Sequence, residues 1–319
     1  MAPWTPDGER LSPPFSGDSA ASSSGRNPIQ TIRRRNEQPL PLRHCPGLAL
    51  AIVVASLLTA SFAWTRDLEV GGPPQRGDAV VRFPGGPLAP ARQDPNIDYD
   101  LQPAGEAFFV HIPPAYSGTE RYGLIVYMDP KDRVGAEPPG WADVLDRRKF
   151  LFVAPQDAGN GQRGERRRGL AVLAALEMSR RYAVDPQRVY VAGLSGGARI
   201  ASQLGFFQSD LFHGTIQSCG TDFYRHVPQV AATTAFDTTG RAYGFVDATP
   251  EEIRDAQRVR FALITGDRDF RHGNILDLYN GGFAKSGLQV RLFDVPGMTH
   301  TNADAATLDA ALSFVDARP

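Results

Sequence analysis

The residue best placed for chemistry is the serine at the centre of Gly193-Leu194-Ser195-Gly196-Gly197. The run fits G-x-S-x-G and stands where Val189-Tyr-Val-Ala-Gly193 ends as a strand and Ala198-Arg-Ile-Ala begins as a helix. In that strand–turn–helix setting the motif lifts a hydroxyl above the edge of a sheet. Glycines two residues to either side let strand and helix approach closely. The helix N-terminus favours an anionic intermediate, and the Gly196 N–H can donate to an oxyanion.

A serine hydroxyl is a poor nucleophile at neutral pH, so it needs a base that is itself oriented by a third group. His213 precedes a strand, at the wrong edge, and His226 lies in an insertion. His300 follows the last apolar run, on a loop before the C-terminal helix, and is the expected base. Where the serine stands on a strand–turn–helix elbow of this kind, the chain order is serine, acid, histidine. The acid is therefore sought in Phe261-Ala-Leu-Ile-Thr-Gly-Asp267-Arg-Asp269, which offers both Asp269 and Asp267.

Elements that could position these groups follow one another from about residue 105. Strands are expected at 106–112, 122–128, 150–154, 189–194, 215–219, 261–265 and 290–295. Helices are expected around 170–181, 198–207, 273–284 and 304–315. Tyr122–Met128 is a continuous apolar run, as a strand buried on both faces would be. Strands alternating with helices imply an α/β class with a mostly parallel sheet and helices on both faces. Residues 105–319 thus form one catalytic domain, with 221–259 a small lid-like insertion carrying Phe223 and Tyr224 as substrate-binding candidates.

The N-terminal third reads differently. Residues 1–43 are rich in Pro, Ser, Gly and Arg and are expected to be disordered. Residues 44–64 are apolar and follow Arg33, Arg34, Arg35 and Arg43, the pattern of a signal peptide or membrane anchor. Ser61-Phe62-Ala63 supplies small residues for cleavage. The catalytic part is thus expected to be secreted or periplasmic, with membrane contact only through that segment. Residues 65–104 read as a linker with an edge strand around Ala79–Phe83.

Among the 319 residues the net charge is −1, which gives no broad electrostatic reason to bind nucleic acid. Two cysteines imply no disulfide framework, and Cys219 reads as a core residue. The six histidines form no i, i+4 pair and no Cys/His cluster, so neither a metal site nor a cofactor is expected. Gly159-Asn-Gly-Gln-Arg-Gly164 fits G-x-G-x-x-G but does not directly follow a strand, so it reads as a loop whose Asp157 and Asn160 border the site.

Asp185-Pro-Gln-Arg-Val-Tyr-Val-Ala-Gly-Leu-Ser-Gly-Gly-Ala-Arg199, with Ser209-Asp-Leu-Phe212 beyond it, resembles the polyhydroxybutyrate depolymerase and feruloyl esterase family of the α/β-hydrolase fold. The strongest likeness covers roughly 30 residues and extends loosely over 105–319. The resemblance implies ester hydrolysis through an acyl-enzyme, carried onto Ser195, Asp269 and His300, with a small-molecule or polymeric ester as substrate. Related hydrolases favour Asp269 over Asp267 by its offset from the strand-ending glycine. In one respect the chain departs from the family: Asp129-Pro130 stands where relatives carry His-Gly. Proline has no N–H, so the second oxyanion donor falls to a nearby amide, with Lys131 the candidate and Asp129 beside it as a substrate contact. The departure keeps open a non-catalytic envelope protein on this scaffold, and the fold also serves serine peptidases.

Overall fold

A computed structural model describes residues 76–84, 93–230 and 244–317. The expected disordered segment 1–43 and the apolar segment 44–64 lie outside the described residues. Among the described residues no helix is long and apolar enough to cross a membrane.

Among the described residues eight strands make one sheet: β1 (Gly77–Val81), β2 (Phe108–Ile112), β3 (Tyr122–Met128), β4 (Phe150–Pro155), β5 (Val184–Leu194), β6 (Gly214–Ser218), β7 (Arg260–Thr265) and β8 (Gln289–Asp294). Their order is β1-β2-β4-β3-β5-β6-β7-β8. The pairs β1–β2 and β2–β4 are antiparallel, and every later pair is parallel. Strands β2, β3, β4 and β6 are buried at every position, as apolar runs covered on both faces must be.

Among the described residues six helices supply the cover: α1 (Trp141–Arg148), α2 (Gly164–Arg181), α3 (Gly196–Phe207), α4 (Pro250–Asp255), α5 (His272–Gly281) and α6 (Ala305–Val315). One apolar cluster joins the sheet to α2, α3 and α5 through residues such as Leu173, Leu204 and Leu278. A second, on the opposite face, joins it to α1 and α6 through Trp141, Leu145, Leu308 and Leu312. The expected architecture is therefore the observed one, with differences at its margins.

The sheet begins earlier than residue 105. β1 falls where an edge strand is expected around Ala79–Phe83, starting two residues sooner, and Phe83, Ile97 and Leu101 are buried against the main cluster. Two helices were not expected. α1 is eight residues long, yet Trp141, Val144 and Leu145 keep i, i+3, i+4 spacing and are buried. α4 lies in the insertion, where Thr249 and Glu252 form a capping box over Pro250.

Candidate active site

The turn from β5 into α3 carries Ser195 at φ 55°, ψ −117°, a backbone state that costs about 1–3 kcal/mol and persists only where surroundings impose it. They do so here. A methyl on Gly193 would meet the Gly197 carbonyl carbon, and one on Gly197 would collide with the Met128 carbonyl of β3. The Ser195 N–H donates to the Ser218 carbonyl at the end of β6 at 2.8 Å. Ser195 is the N-cap of α3, but its side chain makes no capping hydrogen bond and is left for other partners.

Asp269 and His300 meet across the ends of β7 and β8. His300 Nδ1 lies 2.6 Å from Asp269 Oδ1. The carboxylate also accepts from the Thr265 hydroxyl at 2.9 Å and the Arg271 N–H at 3.0 Å. The Asp269 side chain is wholly buried and that of His300 is 22% exposed. Burial raises the Asp269 pKa, but the hydrogen bonds from His300, Arg271 and Thr265 outweigh it and hold the group below its ordinary value. Asp267, the other candidate, is exposed and accepts from the Gly297 N–H instead, at 2.5 Å. It fastens the loop after β7 to the loop after β8.

The His300 loop is hung from several places. Trp141 Nε1 donates to the Ala303 carbonyl at 2.8 Å. The Ala303 N–H donates to Ser218 Oγ at 3.3 Å, and the Cys219 thiol lies 3.2 Å from the Thr301 carbonyl. Ser218 thus touches both the serine turn and the histidine loop, and Cys219 touches the latter. Cys219 is fully buried, and burial, then the charge of Asp269, pushes its thiol pKa up. Phe270, 62% exposed, lays its ring 4.1 Å from the His300 imidazole.

Around the expected oxyanion pocket the structure corrects the sequence reading. The Lys131 N–H is taken: it donates to Asp129 Oδ1 at 2.8 Å, closing a turn over Pro130. Asp129 is engaged too, since its other oxygen accepts from the Tyr127 hydroxyl at 2.9 Å. That hydroxyl also reaches Asn302 Oδ1 at 3.1 Å, tying the exit of β3 to the histidine loop. Asn160 is the group laid against Gly196, so close that a methyl on this glycine would strike Asn160 Oδ1. The Asn160 N–H donates to the Pro130 carbonyl at 2.8 Å, which sets the loop after β4 beside the loop after β3. Behind both, buried Arg167 donates to the Ala158 and Asp129 carbonyls at 2.7 and 3.3 Å. Burial, then the charges of Arg199 and Arg168, lowers the Arg167 pKa to about 10.

The aromatic candidates of the insertion are engaged in packing. Phe223 is 1% exposed and packs on Phe283 and Tyr224, and Tyr224 is half-buried against Phe206. The described part of 221–259 is held to the body by Phe223, Val227 and Val246 rather than standing over it as a lid. Residues 231–243 lie outside the described residues.

The sheet order, the strained serine turn and the acid and histidine at the ends of β7 and β8 define an α/β-hydrolase fold. The chain is similar to poly(3-hydroxyalkanoate) depolymerase C of Paucimonas lemoignei, with 24% identity over 185 residues, 54% of this chain and 43% of that one. The match thus spans less than half the length of that relative. Among solved structures it is similar to LpqC, a poly(3-hydroxybutyrate) depolymerase from Bordetella parapertussis. That comparison has a TM-score of 0.52, 19% identity and coverage of 76% of this chain and 92% of that one. A ferulic acid esterase from Anaeromyces mucronatus aligns with a TM-score of 0.47 and 15% identity over 66% of this chain and 84% of that one. No family model matches the sequence.

Proposed function

We propose that this chain is a serine carboxylic-ester hydrolase that works through an acyl-enzyme on Ser195. The observation that carries the reading is the 2.6 Å contact of His300 Nδ1 with buried Asp269, in a chain that also holds a serine in strained backbone geometry on the turn from β5 into α3. With Nδ1–H held by Asp269, Nε2 is the basic nitrogen. It takes the Ser195 proton as Oγ attacks an ester carbonyl, then gives that proton to the departing alcohol. A water, activated the same way, releases the acid. The negative oxygen is met by the Gly196 N–H and, in place of the occupied Lys131 amide, by the Asn160 carboxamide after a rotation that exchanges its Oδ1, now nearest Gly196, for Nδ2. The exposed ring of Phe270 offers an apolar wall beside the base.

The depolymerase names of the relatives support esters of short hydroxy acids, small or polymeric, as substrates. Arginines ahead of the apolar run 44–64 support export from the cytoplasm, with release or anchoring through that run.

The test is hydrolysis of p-nitrophenyl acetate and butyrate by the full-length chain beside Ser195→Ala and His300→Ala. Turnover by the wild type, reduced by several orders of magnitude in both variants, is the expected result. A wild type no faster than its variants would leave the serine turn without a catalytic role and favour a binding protein on a hydrolase scaffold. Ester against amide substrates then separates an esterase from a peptidase.

A further inference from the structure

On the sheet face covered by α1, away from the serine, three carboxylates gather round His111. Asp78 of β1 and His111 of β2 stand directly opposite one another in the antiparallel register. Asp78 Oδ1 lies 2.7 Å from His111 Nδ1, and Asp146 Oδ1 of α1 lies 2.8 Å from Nε2. Glu137, on the loop before α1, brings Oε1 to 3.0 Å from the same Nδ1. The side chains of His111 and Glu137 are 8% and 7% exposed.

The imidazole has too few hydrogens for this company. Nε2 serves Asp146, and the hydrogen on Nδ1 lines up with Asp78. Glu137 Oε1 is left buried with no hydrogen-bond donor. Among the described residues, no Lys or Arg pairs with Asp78, Glu137 or Asp146. Even a doubly protonated ring carries one positive charge against three negative ones. Of the three only Glu137 is buried, and burying a carboxylate without a partner is costly; such charges are normally paired or bound to a metal.

We propose that Asp78, His111 and Glu137 form a binding site for a divalent cation of the zinc type, with Asp146 orienting the imidazole. The three ligand atoms lie within 4.8 Å of one another, so a single ion at bond lengths of about 2.0–2.2 Å reaches all three after small side-chain rotations. The ion takes the place of the Nδ1 hydrogen, which leaves to solvent as a proton. Nε2–H keeps its bond to Asp146, the carboxylate–histidine–metal arrangement that fixes tautomer and ring plane. One imidazole nitrogen with two carboxylates suits zinc better than calcium or magnesium, which favour oxygen alone. The Asp78 side chain is 53% exposed, which gives the ion a way in and a position for water. Bound there, the ion joins β1, β2 and the loop before α1.

A second group, Cys219, Asp269 and His300, also has ligand atoms within 4.8 Å, so the test must separate the two. The full-length chain, stripped with EDTA and desalted, is titrated with zinc chloride by calorimetry beside His111→Gln, Glu137→Gln and His300→Ala. One zinc per chain is expected, bound in the micromolar range or tighter. Binding should weaken about tenfold or more in His111→Gln and Glu137→Gln and stay unchanged in His300→Ala. Zinc should also raise the melting temperature of the wild type but not of Glu137→Gln. If His111→Gln does not fold, Glu137→Gln, of nearly the same shape, carries the comparison. A wild type that takes up no zinc would overturn the proposal. So would binding that survives Glu137→Gln and disappears in His300→Ala, which puts the ion at the triad.

Discussion

Substituting Asn160 by alanine removes the carboxamide laid against Gly196 while leaving Ser195, Asp269 and His300 as they are. On the proposed mechanism kcat should fall about 100- to 1,000-fold with KM little changed, the usual cost of losing one oxyanion donor. Steady-state kinetics on p-nitrophenyl butyrate would check it, and a KM rise with unchanged kcat would sink the assignment. At this scale the sequence was legible wherever role and local pattern coincide. Ser195 announces itself through flanking glycines, and His300 through its place after the last strand. Asp269 is preferred to Asp267, two residues away on one loop, only by its offset from Gly266 in related hydrolases; in the structure Asp269 faces His300 and Asp267 holds Gly297. Lys131 misled because a side chain two residues away takes its amide, and spacing carries no information about that rotamer.

Among the elements, α4 carries the clearest pH signature. Glu252 is buried, and burial, then its contact with Asp94, raises its pKa from 4.5 to about 7. An acid whose pKa is raised by folding adds stability that is fully present below about pH 4.5 and is lost as pH rises through about 7. The melting temperature should therefore decline over that window, and Glu252→Gln should flatten the decline; an unchanged slope in the variant would assign the loss elsewhere. The helices missed in the sequence show why short elements hide. α1 has only two turns, so its three buried residues barely exceed a chance pattern, yet its Trp141 helps to hold the histidine loop. α4 is marked by Thr249-Pro250-Glu251-Glu252, a capping signature with no long apolar face behind it.

For the molecule as a whole, strand β1 separates a finished sheet from an unfinished one. Its burial alternates, with Val80 63% exposed, whereas every residue of β2 is buried. A chain begun at residue 93 would leave β2 with an unpaired, apolar edge. Size-exclusion chromatography should find that chain aggregated and one begun at residue 76 monodisperse; equal behaviour would make β1 dispensable. The class of fold was readable because alternation of strands and helices is a global pattern that no single residue decides. Contacts between distant strands were not. His111 lies 33 residues from Asp78 and 35 from Asp146, so no local spacing brings this group to notice.

Cys219 turns the same architecture into a clock. Its thiol is sealed under the histidine loop beside Asp269, and its raised pKa keeps it from ionising. An alkylating reagent can reach it only when the histidine loop lifts away. The rate of iodoacetamide labelling at Cys219 should then count openings of the catalytic centre, slow in the intact protein and faster wherever a substitution such as Trp141→Ala loosens the loop.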